Sequence, residues 1–345
     1  MKKGHQVTMK EIAKKLGVSV STVSRALKDS PELHKDTKLR IVEMAKSMNY
    51  QYNLLAQSLR ISRSKVLGVI VPELTSHFFS SNISGIQDTA YKRGYNIMIC
   101  QSNESYEQEK ANVRTLVSSQ VDGLLISLSR ETKSYEHIQE LYDREIPFIM
   151  FDRVTEEIPV SRVTVDDAHG AYLAVQHLLH QGCKKIAYFS GPEDLYISKK
   201  RKEGYLEALA EYGISEKESR VYVTDLTPEM NRQVTLDMLA SEDIPDAIFA
   251  MIDPLALDVM LVLKEKGIKI PEQIALAGFT NNPTSAVVEP SLTTVSQPGY
   301  EMGQLAANHL LDQLDEIVSD DPQSFVLLTT LVVRNSSKKK INSAS

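Results

Sequence analysis

Residues 7–29, VTMKEIAKKLGVSVSTVSRALKD, decide the fold of the N-terminal part of the chain. Thr8-Met9-Lys10-Glu11 has the form of a capping box, in which Thr8 accepts from the amide of Glu11 and Glu11 reaches back. The spacing predicts a short helix with Ile12, Ala13 and Leu16 on one face. Gly17 ends it, because the residue just past a helix often takes positive φ. Ser19 can cap a second helix whose inward positions are Val23, Ala26 and Leu27. Two short helices joined by a tight glycine turn make a helix-turn-helix. Ala13 is small enough for a close crossing, while Val18 and Val23 fill the space between the helices. A third amphipathic helix over 34–50, HKDTKLRIVEMAKSMNY, is expected to turn Leu39, Ile41, Val42, Ala45 and Met48 inward. Asn53 can cap a further piece, NLLAQSLRISRSK, which is too short to be a stable helix alone in water.

The outward positions of the second helix are Val20, Ser21, Ser24, Arg25 and Lys28. These are short or cationic side chains near the half of a recognition helix that meets base edges in a major groove. Arg25 can read guanine bidentately, worth about 1–3 kcal/mol of discrimination. Ser19 and Thr22 can donate to phosphates, which set register without reading sequence. The competing reading is an ordinary helical hairpin with a solvated basic face, and the charge distribution weighs against it. The 345-residue chain carries a formal charge of −6, which taken alone argues against nucleic acid. Yet residues 1–65 hold 14 Lys and Arg against 5 Asp and Glu, a net +9, and the remainder carries −15. That asymmetry suits a basic module for a polyanion carried on an acidic body.

Composition is that of a folded protein, 42% hydrophobic and 24% charged, and excludes collagen-like, disordered and low-complexity classes. No apolar run approaches the roughly 18 residues of a membrane span, and the N-terminus has no apolar core of a signal peptide. The two cysteines, Cys100 and Cys183, lie far apart and suit a reducing compartment. A cytoplasmic protein without a membrane partner is expected.

From Val66 onward, short apolar runs alternate with amphipathic helices. The strand-like runs are VLGVIVPE, YNIMICQSN, VDGLLISLS, IPFIMFD, KKIAYFSG, RVYVTD, AIFAMID and IALAGFTN. Such alternation predicts βαβ units and parallel sheets, and about 280 residues is enough for two lobes. Open α/β sheets bind ligands beyond the carboxyl ends of their strands. Those ends carry Glu73, Ser102, Asn103, Ser127, Ser129, Asp152, Arg153, Asp225, Asp253 and Asn281. The set suits a polyhydroxylated ligand, although loops at strand ends are polar in any case.

Motifs for phosphate loops, dinucleotide binding, hydrolase elbows and zinc proteases are all lacking, so no enzyme, metal or cofactor is expected. His177, His180 and Cys183 fall three apart near a helix end, a spacing that fits a solvated face better than a metal site. Asp166 and Asp167 are adjacent and point apart, which argues against a paired-carboxylate site.

The stretches VTMKEIAKKLGVSVSTVSRALKD, TKLRIVEMAKSMNY and NLLAQSLR together resemble the LacI/GalR family of bacterial transcription regulators. The likeness continues through HFFSSNISGI, RGYNIMIC, VDGLLI, FDR, VDDAHGAYLAVQHLLHQG, IPDAIFAMID and PSLTTVSQP. It implies an α/β protein with an N-terminal all-α helix-turn-helix DNA-binding domain at 1–52 and a hinge helix and linker at 53–65. A two-lobed, periplasmic-binding-protein-like effector and dimerisation domain with parallel sheets would span 66–337, before a flexible tail at 338–345. Lobe 1 would take about 66–165 and 295–324, and lobe 2 about 166–294 and 325–337.

By the same resemblance Val20, Ser21 and Arg25 read bases, while Ser19, Thr22 and His34 lie near phosphates. Thr8 and Asn53 also belong to the DNA side, and Leu59 would wedge into the minor groove. The effector set becomes Glu73, Phe78, Phe79, Ser129, Asp152, Arg153, Asp166, Arg201, Asp253 and Gln297, with Asn281 kept from the strand ends. Phe78 would offer a stacking face and Arg201 a donating fork. The chain departs from the family pattern at Tyr52 and Gln57 near the hinge, and at Leu226, Ile252 and Thr280 in the body. The implied protein is a sequence-specific repressor of the carbohydrate-metabolism type. It would be a homodimer on a palindromic double-stranded operator, controlled by a sugar or sugar derivative. Two other readings are a transport-type solute-binding protein, and a sugar-processing enzyme fused to a DNA-binding domain. The helix-turn-helix and the lack of an export signal count against the first, and the second would predict turnover of a bound sugar.

Overall fold

The computed structural model describes residues 7–27, 32–50 and 63–339. Lys28, Asn53, Leu59, most of the hinge segment and most of the expected tail lie outside the described residues. The chain divides into two compact units, residues 1–64 and 65–345.

The first unit contains α1 (Met9–Leu16), α2 (Val20–Leu27) and α3 (Lys35–Ser47). The capping box is present. Glu11 N donates to Thr8 Oγ1 at 3.4 Å, and Thr8 N donates to Glu11 Oε2 at 2.7 Å. Gly17 sits at φ 65° and its amide closes the helix on the Ala13 carbonyl. Ser19 Oγ accepts from the amide of Thr22 at 3.1 Å, satisfying one of the open donors at the start of α2. Ile12, Ala13, Val23, Ala26, Ile41 and Ala45 form the buried core, with Leu16, Val18, Leu27 and Met48 packed against it.

Leu39 departs from the sequence expectation, being 60% exposed. Residues two apart on a helix point about 200° apart, so a helix that buries Ile41 and Ala45 must turn Leu39 outward. Ile41→Ala should therefore destabilise this unit by about 2–5 kcal/mol. Leu39→Ala should stay within about 0.5 kcal/mol, both read as amide-exchange protection across α1 to α3.

The second unit opens with β1 (Val66–Val71), α4 (His77–Lys92), β2 (Asn96–Gln101), α5 (Tyr106–Ser118) and β3 (Gly123–Ile126). It continues with α6 (Glu136–Asp143), β4 (Phe148–Phe151) and β5 (Arg162–Val165). Then come α7 (Asp167–His180), β6 (Ile186–Ser190), α8 (Tyr196–Glu211), β7 (Arg220–Val223), α9 (Pro228–Leu239) and β8 (Ala247–Ala250). The remaining elements are α10 (Asp253–Glu265), β9 (Ala275–Phe279), α11 (Thr284–Val287), β10 (Thr293–Ser296), α12 (Gly299–Leu314), β11 (Ser324–Leu327) and β12 (Thr330–Val332).

These strands make two six-stranded sheets, in the orders β11-β5-β4-β3-β1-β2 and β12-β10-β9-β8-β6-β7. The first is parallel throughout, with Val69 opposite Ile99 on one side and Leu125 on the other. In the second, only β12 runs antiparallel to its neighbour β10. Central strands such as AIFA and ALAGF are buried along their whole length because helices cover both faces of each sheet. Helices α4 and α12 approach closely at glycines: a Cβ on Gly303 would strike the Asn82 carbonyl. Arg93 ties the same pair to Asp312 and Asp315 at 2.9 and 2.8 Å.

Each sheet with its helices is one lobe, and the chain passes between lobes three times. The crossings follow Val165, Ser296 and Leu327, because β10 belongs to the second sheet and β11 to the first. The expected boundaries at 295 and 325 are corrected accordingly. Both displaced strands, TTVS and SFVL, are short and carry hydroxyl side chains, so no long apolar run marks them.

Candidate functional site

In both sheets the chain builds outward to one side of the first strand and then to the other, so the switch point falls at β1/β3 and at β6/β8. Ligands in open α/β sheets bind beyond the carboxyl ends of strands at such points. The two lobes present those ends to a common cleft with a cavity of about 300 Å³. Lobe 1 contributes Glu73 after β1, Glu104 after β2, Arg130 after β3, and Asp152 with Arg153 after β4. Lobe 2 contributes Leu226 after β7, Ile252 after β8, and Thr280 with Asn282 after β9, while Ile197 and Arg201 reach in from α8. Gln297 lies on the second crossing.

The charged groups are organised in pairs. Arg153 Nη1 donates to both oxygens of Glu104 at 2.8 and 2.7 Å, and its guanidinium lies 5.7 Å from the Phe79 ring. Arg201, 1% exposed, donates through Nε and Nη2 to Asp167 Oδ1 at 2.8 and 2.7 Å and through Nη1 to the Met251 carbonyl. Its guanidinium also stacks 3.7 Å from the Phe279 ring. Burial pushes the Asp167 carboxyl up, against the pull of Arg201. Burial pushes Asp152 up to about 7, with Arg153 opposing the shift. Arg130 Nη1 donates to the Asp225 carbonyl at 2.6 Å and so spans from lobe 1 to lobe 2, as does the exposed Lys133–Asp194 pair at 3.2 Å.

Four cleft residues that are not glycine take left-handed φ: Glu104 at 60°, Asp152 at 59°, Leu226 at 67° and Thr280 at 110°. Thr280 is the most strained, since a β-branched residue disfavours this region. Strained backbone of this kind gathers at ligand clamps.

Of the residues expected at the effector site, Glu73, Phe78, Phe79, Asp152, Arg153, Arg201 and Gln297 line the cleft. Four others lie outside the lining and hold structure in place. Ser129 is buried, with its amide donating to Glu109 and its hydroxyl bonded to Thr132 at 2.7 Å. Asp166 caps α7 by accepting from the His169 amide at 2.9 Å. Asp253 accepts from Thr294 Oγ1 at 2.6 Å, Ser285 Oγ at 2.7 Å and Asn282 N at 2.7 Å. Burial pushes its carboxyl up to about 6 even so. Asn281 accepts from Arg334 Nη2 at 2.8 Å and donates to Ser296 Oγ at 3.2 Å.

Sequence reasoning missed Thr75, Ser76, His77, Glu104, Arg130, Ile197, Pro254 and Asn282 as lining residues. Only their proximity to strand ends could have found Glu104 and Arg130. Leu226, Ile252 and Thr280, where the chain departs from the family pattern, also line the cleft. The His177–His180–Cys183 stripe is dispersed: His177 bonds Ser337 at 2.8 Å, His180 meets Tyr212 edge-on, and Cys183 is buried. Among the described residues no three potential ligands gather to hold a metal ion. None of the described helices is long and apolar enough to cross a membrane.

In the first unit, Val20, Ser21 and Arg25 are exposed on α2. Ser19 Oγ bonds Ser21 Oγ at 2.7 Å and Thr22 Oγ1 at 2.8 Å, which gathers three hydroxyls at the start of that helix. Arg25 lies 3.6 Å from Glu32, and His34 lies 3.5 Å from Asp36. The Thr8 hydroxyl is engaged with Glu11 at 3.1 Å.

A helix-turn-helix unit joined to a two-lobed domain with a cleft between parallel sheets defines a class, the ligand-responsive DNA-binding regulators. Residues 8–53 match the family model described as bacterial regulatory proteins, lacI family. Residues 64–330 match that of periplasmic binding proteins and the sugar binding domain of the LacI family. The chain belongs to the lacI family of bacterial regulatory proteins. It is a DNA-binding transcriptional repressor under allosteric control by a small-molecule effector. A ribose operon repressor of Halalkalibacterium halodurans is 32% identical over 337 residues, 97% of this chain and 98% of that one. The structure of a transcriptional regulator CelR–cellobiose complex, 27% identical, covers 96% of this chain and 100% of its own, with a TM-score of 0.73. The lac repressor dimer bound to operator and the anti-inducer ONPF shares the fold, with a TM-score of 0.86 at 24% identity over 97% of this chain and 100% of its own.

Asp253→Ala would leave three donors without an acceptor. It should cost about 3 kcal/mol or more, seen as a lower melting temperature whether or not a ligand is present. A variant as stable as the parent would return Asp253 to the list of ligand contacts.

Proposed function

We propose that the protein acts in the cytoplasm as a homodimeric repressor of a palindromic operator, with a sugar or sugar derivative as its effector. The observation that carries this reading is the pairing, in one chain, of an exposed hydroxyl-and-arginine helix face with a polar cleft between two sheets. Val20, Ser21 and Arg25 read base edges, while Ser19, Thr22 and His34 meet phosphates. Thr8 contributes by fixing the start of α1. Two copies related by a two-fold axis match the two halves of a palindrome.

The effector binds among Glu73, Phe78, Phe79, Asp152, Arg153, Arg201 and Gln297. Binding changes how the lobes close on one another, and operator affinity follows. The coupling is reciprocal, so operator DNA changes effector affinity by the same factor.

Fluorescence anisotropy on an operator library, with and without sugars, tests the reading. Operator affinity should fall steeply with salt, because a basic face releases counterions from the phosphates it neutralises. Arg25→Ala should relax preference at one operator position at a cost of about 1–3 kcal/mol. Equal losses on every sequence would make Arg25 a phosphate contact, and a flat salt response would remove the DNA-binding role of the basic unit.

Arg130 offers a second test. Its bond to the Asp225 carbonyl is one of the links holding the lobes together. Arg130→Ala should weaken the effector response roughly two- to tenfold, the worth of one ordinary solvent-exposed hydrogen bond. Titration of operator release against effector concentration measures it.

A further inference from the structure

We infer that Glu109, backed by His137, is a positioning residue for lobe closure, because it fixes the loop from which Arg130 and Lys133 reach lobe 2. The inference rests on the reading that effector binding acts through closure of the lobes. It assigns part of that control to two groups that do not line the cavity.

Glu109 stands in the first half of α5 and is wholly buried. Its carboxylate accepts from the Ser129 amide, from Thr132 Oγ1 at 3.0 Å and from His137 Nε2 at 2.7 Å. His137 Nδ1 is buried without a partner, which leaves Nε2 as the nitrogen that donates to the carboxylate. Ser129 Oγ and Thr132 Oγ1 bond each other at 2.7 Å and close a ring of contacts. The next amide along, Arg130 N, donates to Glu104 at 2.7 Å. Two carboxylates from the segment after β2 therefore hold consecutive amides of the loop after β3, and with them the root of the Arg130 side chain. Tyr106 adds a further tie, its amide donating to Glu131 Oε2 at 3.3 Å while its ring meets His137 edge-on at 5.4 Å.

A buried carboxylate is costly unless donors surround it, and an apolar side chain would fill the same space at less cost. What the carboxylate supplies, and an apolar group does not, is an acceptor for the amide just before Arg130. The loop so held carries Arg130, whose Nη1 donates to the Asp225 carbonyl at 2.6 Å, and Lys133, 3.2 Å from Asp194. A displacement of the loop by roughly 1 Å would carry the Arg130 bond beyond hydrogen-bonding distance. Placement of the loop to better than that is the property Glu109 confers.

The test is pulsed electron–electron double resonance on the full-length protein without effector. Spin labels sit at Ser118→Cys on α5 and Gln233→Cys on α9, both exposed positions, one in each lobe. Cys100→Ser removes the more exposed native thiol, and dilution with unlabelled chains keeps each measured distance within one chain. Arg130→Ala and Glu109→Ala should each lower the ratio of closed to open lobes roughly two- to tenfold, the worth of one ordinary hydrogen bond. In a chain already carrying Arg130→Ala and Lys133→Ala, Glu109→Ala should still lower the melting temperature yet leave that ratio where it was. Glu109→Gln keeps an acceptor for the Ser129 amide, so it should fold and give a smaller shift in the same direction, which serves where Glu109→Ala does not fold. A ratio unchanged by the Glu109 variants, or shifted equally with and without Arg130 and Lys133, overturns the inference and leaves Glu109 a purely structural residue. A ratio unchanged in Arg130→Ala removes the tie between the lobes, and the inference with it. The closure reading fails separately, if a sugar that releases operator leaves the distance distribution unmoved.

Discussion

The ion pair between Arg201 and Asp167 fixes the geometry on which the cleft depends. Both residues are buried, at the start of α7 and in the first half of α8, and the same guanidinium reaches the end of β8 through Met251 and the end of β9 through Phe279. Four elements of lobe 2 therefore meet at one planar cation. Removing a single partner of such a pair typically costs about 3–5 kcal/mol, because the other charge is left buried and unpaired. Arg201 is thus as much a strut of the lobe as a group that faces the cavity, and loss of ligand response in a truncated side chain would not by itself show contact.

Lobe 1 uses a related device with a different result. Arg153 and Glu104 sit at the mouths of β4 and β2, and their bidentate pair clips two strand-end loops together across the sheet. The loop between them carries Arg130, whose amide is also bound by Glu104 at 2.7 Å. Glu104 thereby sets the position of the residue that reaches over to lobe 2. Its left-handed backbone is the conformational cost of placing one carboxylate against two arginine-bearing loops.

Much of this was legible in the sequence because it depends on local rules. The capping box at Thr8, the Gly17 turn and the long apolar strands follow from caps, φ preferences and burial on both faces. Strands such as RVTV, TTVS and SFVL were not legible, since their apolar residues are few and the neighbouring sheet, not the segment, makes them strands. The cleft divides in the same manner. Asp152 and Arg153 could be found from strand ends and family resemblance together, whereas Asp253 has the same two credentials and Asn281 the first of them, yet both turn inward to bind β10 and Arg334. Which way a side chain at a strand end points is decided by partners far along the chain, and one-dimensional patterns do not carry that information.

The acceptor of Arg130 is a main-chain carbonyl, and this choice separates two sensitivities of the molecule. A carbonyl keeps its polarity whatever side chain occupies position 225 and at whatever pH, so the link is blind to titration of its acceptor. It also has no net charge for dissolved ions to screen, unlike an exposed ion pair. Ionic strength therefore acts chiefly on the basic face that meets phosphate and much less on this tie between the lobes. A rise in salt would loosen the protein from DNA and screen the exposed Lys133–Asp194 pair, while leaving the Arg130 tie itself nearly unchanged.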